Sequence, residues 1–296
     1  MYKRMVVLLD GSELAELVLK YAQELSGRLH IDLELLHVCD PREADQLPMR
    51  RAYIEHMAEV VCTGAEEIRK KYDKGQRAEC IHARGHVVVG YPAEEILKFI
   101  EEKDLDLVMM STHGSSGIKA WDLGGVASKV IHASKVPIWL VPSELREEVV
   151  ADTLPGRLLV VPLDGRKQSE VVLPHAVDIL KQRGAEAEMA LIYVHSPDQG
   201  LTLTRAAVDL TQSHLDEMKA YLEKTAEPLR KAGLSVRTEV LVGDPAKTII
   251  NYLVENPTQL LAMATRARTG LSKMIFDSVT EEVIQMVKKT PLLLVG

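Results

Sequence analysis

Aromatic residues make up only 4% of this 296-residue chain, and cysteine occurs three times. Cys39, Cys62 and Cys80 are odd in number and show no CxxC spacing, which argues against a zinc site or a disulfide framework and suits a reducing compartment. No apolar run reaches the ~18 residues that a membrane span needs. No cationic tail or basic block occurs either. The net charge of −7 is spread along the chain, so neither a nucleic-acid nor an anionic-membrane partner is expected. The start, Met1-Tyr2-Lys3-Arg4, runs straight into Met5-Val6-Val7-Leu8-Leu9 without an h-region or cleavage site, and the expected location is the cytoplasm. Neither Gly-x-x-x-x-Gly-Lys-Ser/Thr nor Gly-x-Gly-x-x-Gly is present, which speaks against a P-loop ATPase and a dinucleotide dehydrogenase.

What remains is ordinary for a soluble protein, with 46% apolar and 27% charged residues, and the length suits two domains of about 150 residues each. An internal repeat supports that division. Val7-Leu8-Leu9-Asp10-Gly11 matches Val161-Pro162-Leu163-Asp164-Gly165, and Leu35-Leu36-His37-Val38 answers to Leu191-Ile192-Tyr193-Val194. Val89-Gly90-Tyr91-Pro92-Ala93 answers to Val242-Gly243-Asp244-Pro245-Ala246, and Pro137-Ile138-Trp139-Leu140-Val141 to Pro291-Leu292-Leu293-Leu294-Val295. The offsets, 154, 156, 153 and 154, keep register across almost the whole chain.

Each half alternates short apolar runs with amphipathic helices, the pattern of a parallel sheet covered on both faces. In the first half, strands are expected near 5–9, 32–38, 79–89, 106–110 and 137–141, with helices near 13–27, 50–73, 92–102 and 124–134. The fold class is therefore α/β: two doubly wound, five-stranded parallel-sheet domains in tandem. We place them at 1–145 and 158–296, joined by a charged linker, 146–157, that contains Pro155-Gly156.

The stretch from Met109 to Pro142 carries the chemistry. The apolar run Leu107-Val108-Met109-Met110 breaks off into Ser111-Thr112-His113-Gly114, and nine residues later Gly124-Gly125 precede a helical pattern beginning at Val126. Glycines at the ends of such a loop let backbone amides approach a ligand, and the free N–H groups of the next helix favour an anion. The residues read as a phosphate cradle. This frame resembles the nucleotide-binding segment of the universal stress protein family, whose ATP-binding members carry Gly-x-x-Gly, nine residues, then Gly-Ser/Thr. Here Ser111 replaces the first glycine and Gly125 the final hydroxyl residue.

The resemblance implies the strand order 3-2-1-4-5 and a crevice between strands 1 and 4, where chain direction across the sheet reverses. It implies an adenine nucleotide, ATP or else ADP or AMP, as the ligand of the first half. Asp10 with Gly11 would meet ribose hydroxyls or a nucleotide-borne Mg²⁺, and the Val38 backbone would meet adenine. Ser111, Gly114, Gly124 and Gly125 would surround the phosphates, with Val126 opening the helix, His113 inside the cradle and Met110 also among the nucleotide-binding residues. The bland readings stand beside these: Asp10 as a helix cap, Val38 as a core valine, the glycines as tight-turn residues, and His113 and Lys119 as loop residues. No Ser-His-Asp or Cys-His arrangement surrounds His113 in sequence, so no catalytic residue is assigned, and hydrolysis is expected to be slow at most.

In the second half the corresponding frame, Ala264-Thr265-Arg266-Ala267 and then Asp277-Ser278, has lost every glycine and gained an acid, so weak or absent ATP binding is expected there. The resemblance also implies that the fifth strands, 137–141 and 291–295, pair with each other inside the chain. It leaves open whether two tandem chains assemble further, and which protein partner reads the ligand. The leading expectation is a stress-response binding and signalling module. The alternative is a nucleotide-free structural or interaction protein in which both sites have degenerated.

Overall fold

The structure, a computed structural model, describes residues 2–73, 80–112, 125–184, 186–196, 205–265 and 278–296. The first half runs β1 (Arg4–Leu8), α1 (Glu13–Leu29), β2 (Asp32–Cys39), α2 (Leu47–Asp73), β3 (Ala83–Val89), α3 (Pro92–Glu102), β4 (Leu107–Ser111), α4 (Gly125–Ala133) and β5 (Ile138–Val141). A short helix α5 (Glu147–Val150) and a 3-10 turn (Pro155–Arg157) follow. The second half repeats the plan with β6 (Leu158–Pro162), α6 (Leu173–Arg183), β7 (Glu188–His195), α7 (Arg205–Lys231), β8 (Ser235–Val242), α8 (Pro245–Glu255), β9 (Thr258–Ala264), α9 (Ser278–Met286) and β10 (Leu292–Val295).

These strands form one ten-stranded sheet in the order β3-β2-β1-β4-β5-β10-β9-β6-β7-β8. Each half therefore has the expected 3-2-1-4-5 order. Within a half every pairing is parallel, whereas β5 and β10 meet antiparallel, with Trp139 opposite Leu293. The expected pairing of the fifth strands inside one chain is thus observed.

Because strand side chains alternate between faces, the apolar runs feed two cores. Met5, Val7, Leu107, Met109 and Trp139 face the layer of α1 and α2, where they join Leu159, Val161 and Leu293 from the second half. Val6, Val108, Met110, Ile138 and Leu140 face α3 and α4, together with Val160, Leu261 and Leu292. Each core crosses the seam without a break. The strands at the seam, β5 and β10, are wholly apolar because both of their sides are covered.

Pro92 and Pro245 each open a helix, where a missing N–H costs nothing. In α8 the Asp244 carboxylate also accepts from the Lys247 amide at 3.0 Å. One boundary departs from expectation. Strand 3 was expected from residue 79, but its ladder starts at Ala83 opposite Leu33. Side chains take the preceding amides: Ile81 N–H donates to Glu66 at 2.5 Å and His82 N–H to Asp32 at 2.8 Å.

The halves also touch through Tyr2, whose hydroxyl lies 2.9 Å from His175 Nδ1 on α6, with the rings stacked 5.7 Å apart. Burial holds His175 below its ordinary 6.5, with Asp178 opposing. The folded chain then resists a proton that the unfolded chain accepts. This contribution to stability is complete above pH 6.5 and is lost as pH falls through the folded value. Urea midpoints measured from pH 7 to 5 should fall, and His175→Gln should flatten part of that slope. An unchanged slope in the variant would assign the acid sensitivity elsewhere.

Candidate functional site

The carboxyl ends of β1, β2 and β4 open into a cleft of about 590 Å³. Asp10 and Gly11 follow β1, Val38 lies near the end of β2, Met110 and Ser111 end β4, and Gly125 and Val126 start α4; all seven line this one cleft. Residues from four separate stretches converge where β1 has β2 on one side and β4 on the other. That is the switch point at which open α/β sheets take ligands. His113, Gly114 and Gly124, with Lys119, lie outside the described residues.

The loop after β1 is held by its own side chains. Asp10 Oδ1 accepts from the Ser12 amide at 3.0 Å and from the Ser12 hydroxyl at 2.7 Å. Ser12 is the N-cap residue of α1 but makes no capping bond through its side chain. The carboxylate thus shapes the turn one residue ahead of the helix and remains on the cleft wall. Gly11 takes φ +81°, a conformation that glycine reaches at little cost. Behind it, His37 Nδ1 stands 2.9 Å from the Leu9 carbonyl. With a carbonyl as partner, Nδ1 must carry the proton and donate. The bond ties the ends of β1 and β2 together.

The sequence reading missed the other walls of the cleft. Pro92 and Ile96 of α3 add apolar surface, and Asp40, Glu43 and Arg50 add charge. Asp40 is neutralised locally: Arg42 Nη2 reaches it at 2.7 Å and holds its carboxyl down at about 2, through side-chain and then backbone hydrogen bonds. Arg50 is different. Its guanidinium stands over Gly11, with Nη1 2.8 Å from where a Cβ on that glycine would lie. Its Nη2 donates to Gln46 at 3.2 Å and its Glu43 partner is 3.9 Å away, while among the described residues the buried Nε has no hydrogen-bond partner. A cation so loosely matched, with a side chain 26% exposed, is available to an anionic ligand. No signal in the sequence marked it, since it lies on the second long helix, forty residues from Asp10.

The second half places a different group over the corresponding glycine. Gly165 also has positive φ, +82°, but the atom nearest its would-be Cβ is Met218 Sδ at 3.3 Å. Asp164 is exposed and accepts from the Arg166 amide at 2.9 Å. Residues 266–277, with Arg266, Ala267 and Asp277, are outside the described residues, and Ser278 begins α9. A larger hollow of about 680 Å³ runs along α7, but four of its charged side chains pair with each other, Glu223 with Arg230 and Glu227 with Lys231.

Two fused doubly wound halves sharing one sheet, the first with a cleft beyond the carboxyl ends of its strands, define a tandem α/β protein. The profile of the universal stress protein family matches residues 1–142 and again 157–296, and the chain belongs to that family. Universal stress protein MJ0531 of Methanocaldococcus jannaschii is 28% identical over 147 residues, covering 50% of this chain and 86% of that protein. Universal stress protein YxiE of Bacillus subtilis is 30% identical over 154 residues, covering 48% of this chain and 99% of that protein. A crystal structure of a universal stress protein from Archaeoglobus fulgidus aligns over 99% of this chain and 96% of its own, with TM-score 0.70 and 22% identity, a likeness of fold. Among the described residues no helix is long and apolar enough to cross a membrane.

Proposed function

We propose that the first half binds an adenine nucleotide, and that the chain works as a binding and signalling module of the stress response, with hydrolysis slow at most. The observation that carries this reading is the convergence of Asp10, Gly11, Val38, Met110, Ser111, Gly125 and Val126 on one cleft of about 590 Å³, within the range of pockets that enclose small ligands. Val38, Met110 and Ile96 offer apolar surface for a base, and Asp10 can accept from ribose hydroxyls. The amides at the start of α4 and the Arg50 guanidinium suit phosphates. Mg²⁺ commonly binds through one or two carboxylates together with substrate phosphates, and Asp10 is the residue placed to share it with the nucleotide. Because Arg50 belongs to α2, occupancy would be felt along that helix, whose outer surface a partner protein could read.

The test is calorimetric titration of the full chain with ATP, ADP and AMP. One site per chain is expected, since Met218 offers no charge where Arg50 does. Two equal sites would contradict the assignment to the first half, and no binding would leave the interaction-protein reading. Gly125→Ser sharpens the test. Gly125 begins α4, and among the described residues a Cβ there would meet nothing within 4 Å. The new hydroxyl supplies the group that the family's nucleotide-binding pattern has at this place. An added hydrogen bond contributes about 0.5–1.5 kcal/mol, so affinity should rise roughly threefold to tenfold. An unchanged affinity would remove the phosphates from this end of the loop.

A further inference from the structure

Away from the cleft, the two halves and the linker meet around a group of arginines. Asp152, in the left-handed region at φ +55° and with a side chain only 4% exposed, faces Arg28 of α1, Arg157 of the 3-10 turn and Arg183 at the end of α6. Arg28 Nη1 lies 3.4 Å and Arg157 Nε 3.3 Å from Asp152 Oδ2, and Arg183 Nη1 contacts Oδ1. Glu24 takes Arg28 Nε at 3.2 Å. Three guanidinium groups thus share two carboxylates.

One positive charge is left over in the cluster, and Arg183, although paired with Asp152 through Nη1, keeps an idle donor. Its side chain is 6% exposed, and among the described residues its buried Nε has no hydrogen-bond partner. The Tyr21 hydroxyl and the Trp139 indole nitrogen are also buried without a partner in hydrogen-bonding geometry. Burial pushes the Tyr21 phenol up to about 12, with Arg183 lowering it and Asp152 raising it, so its hydroxyl shares their field. Arg28, Tyr72, Asp152, Arg157, Gln182 and Arg183 enclose a cavity of about 90 Å³. Both Asp152 oxygens are already engaged. Tyr72 accepts from Arg28 Nη2 at 2.9 Å, which leaves its own proton to give. A buried cluster with one more guanidinium than carboxylates, and with a buried donor left unused, is costly, and fork-shaped guanidinium donors fit tetrahedral oxyanions.

We propose that this cavity binds a small tetrahedral oxyanion of the phosphate class, held by Arg183, Arg157 and Arg28 with the Tyr72 hydroxyl. The volume equals that of about three waters, room for one such ion. The ligand would touch the first half, the linker and the second half at once, and so would fasten the halves to each other.

The experiment is thermal unfolding of the full chain in inorganic phosphate against chloride at constant ionic strength. The expected result is a saturable rise in Tm, about 3 °C at ten times the half-saturating concentration. Arg183→Gln and, separately, the more exposed Arg157→Gln should lose the saturable part, whereas Arg50→Gln in the cleft should keep it. If Arg183→Gln fails to fold, Arg157→Gln decides, with ³¹P line broadening as the second readout. Loss of the response in Arg50→Gln, or its displacement by ATP, would put the ion in the cleft and overturn the proposal. An unsaturable rise common to all variants, the signature of general salting-out, or no rise at all, would overturn it equally.

Discussion

Trp139→Ala should destabilise the whole chain by about 3–5 kcal/mol, the usual cost of removing a large aromatic side chain from a core. Trp139 is fully buried at the centre of β5, with Met109 on one neighbouring strand and Leu293 on the other. Its ring lies 6.1 Å from that of Tyr21. The cavity left by alanine would open at the seam, where a single core serves both halves, so neither half could collapse onto it alone. Trp139→Phe is the informative companion. Among the described residues the indole N–H has no partner in good hydrogen-bonding geometry, with the Tyr21 hydroxyl as a polar neighbour, so losing it removes a poorly satisfied donor instead of breaking a strong bond. The phenylalanine variant should recover most of the stability. Urea denaturation followed by circular dichroism measures both variants, and a loss below about 1 kcal/mol for alanine would mean that the seam repacks freely.

Arg50→Gln should weaken adenine-nucleotide binding by roughly tenfold to a hundredfold, the equivalent of one or two charge-assisted hydrogen bonds. The size follows from its surroundings. Glu43, the carboxylate nearest to it by ion pairing, is 3.9 Å away with a side chain 52% exposed, so little of the arginine's charge is already spent. The loss should be larger for ATP than for AMP and should shrink as salt is added, since the interaction is charge with charge. Arg50→Lys should restore only part, because a point charge cannot present two parallel donors. Titration calorimetry of the three forms decides the matter. Equal affinities for ATP would show that Arg50 faces the cleft without touching the ligand.

The strand residues were legible in the sequence for a clear reason. A fully buried parallel strand must be apolar on both faces, and a binding loop must begin where such a run stops. Asp10, Met110 and Ser111 announce themselves by position and Gly125 follows from the frame around it, whereas Val38 came with the family resemblance. The strand order itself came with the family resemblance, since nothing in Val7 or Met109 states which strand lies beside it. Arg50, Glu43 and Ile96 were not legible. They occupy helices or a turn whose placement over the cleft depends on the angle at which each element packs, and Arg50 looks in sequence like any solvated helix arginine beside Arg51. The late start of β3 was hidden likewise, because Glu66 and Asp32 are distant carboxylates that capture its first amides.

The antiparallel meeting of β5 and β10 has an evolutionary corollary. In a symmetric pair of identical chains every substitution appears twice, so a change that spoils one pocket spoils both. Fusion lifts that bond while keeping the shared wall intact. One copy can keep its seat for a charged guest while the other trades arginine for methionine and drifts toward a different task. The outermost strands, β3 and β8, then carry the only borders of the described sheet, and Arg84, His86, Arg237 and Glu239 along them discourage further strand-to-strand growth.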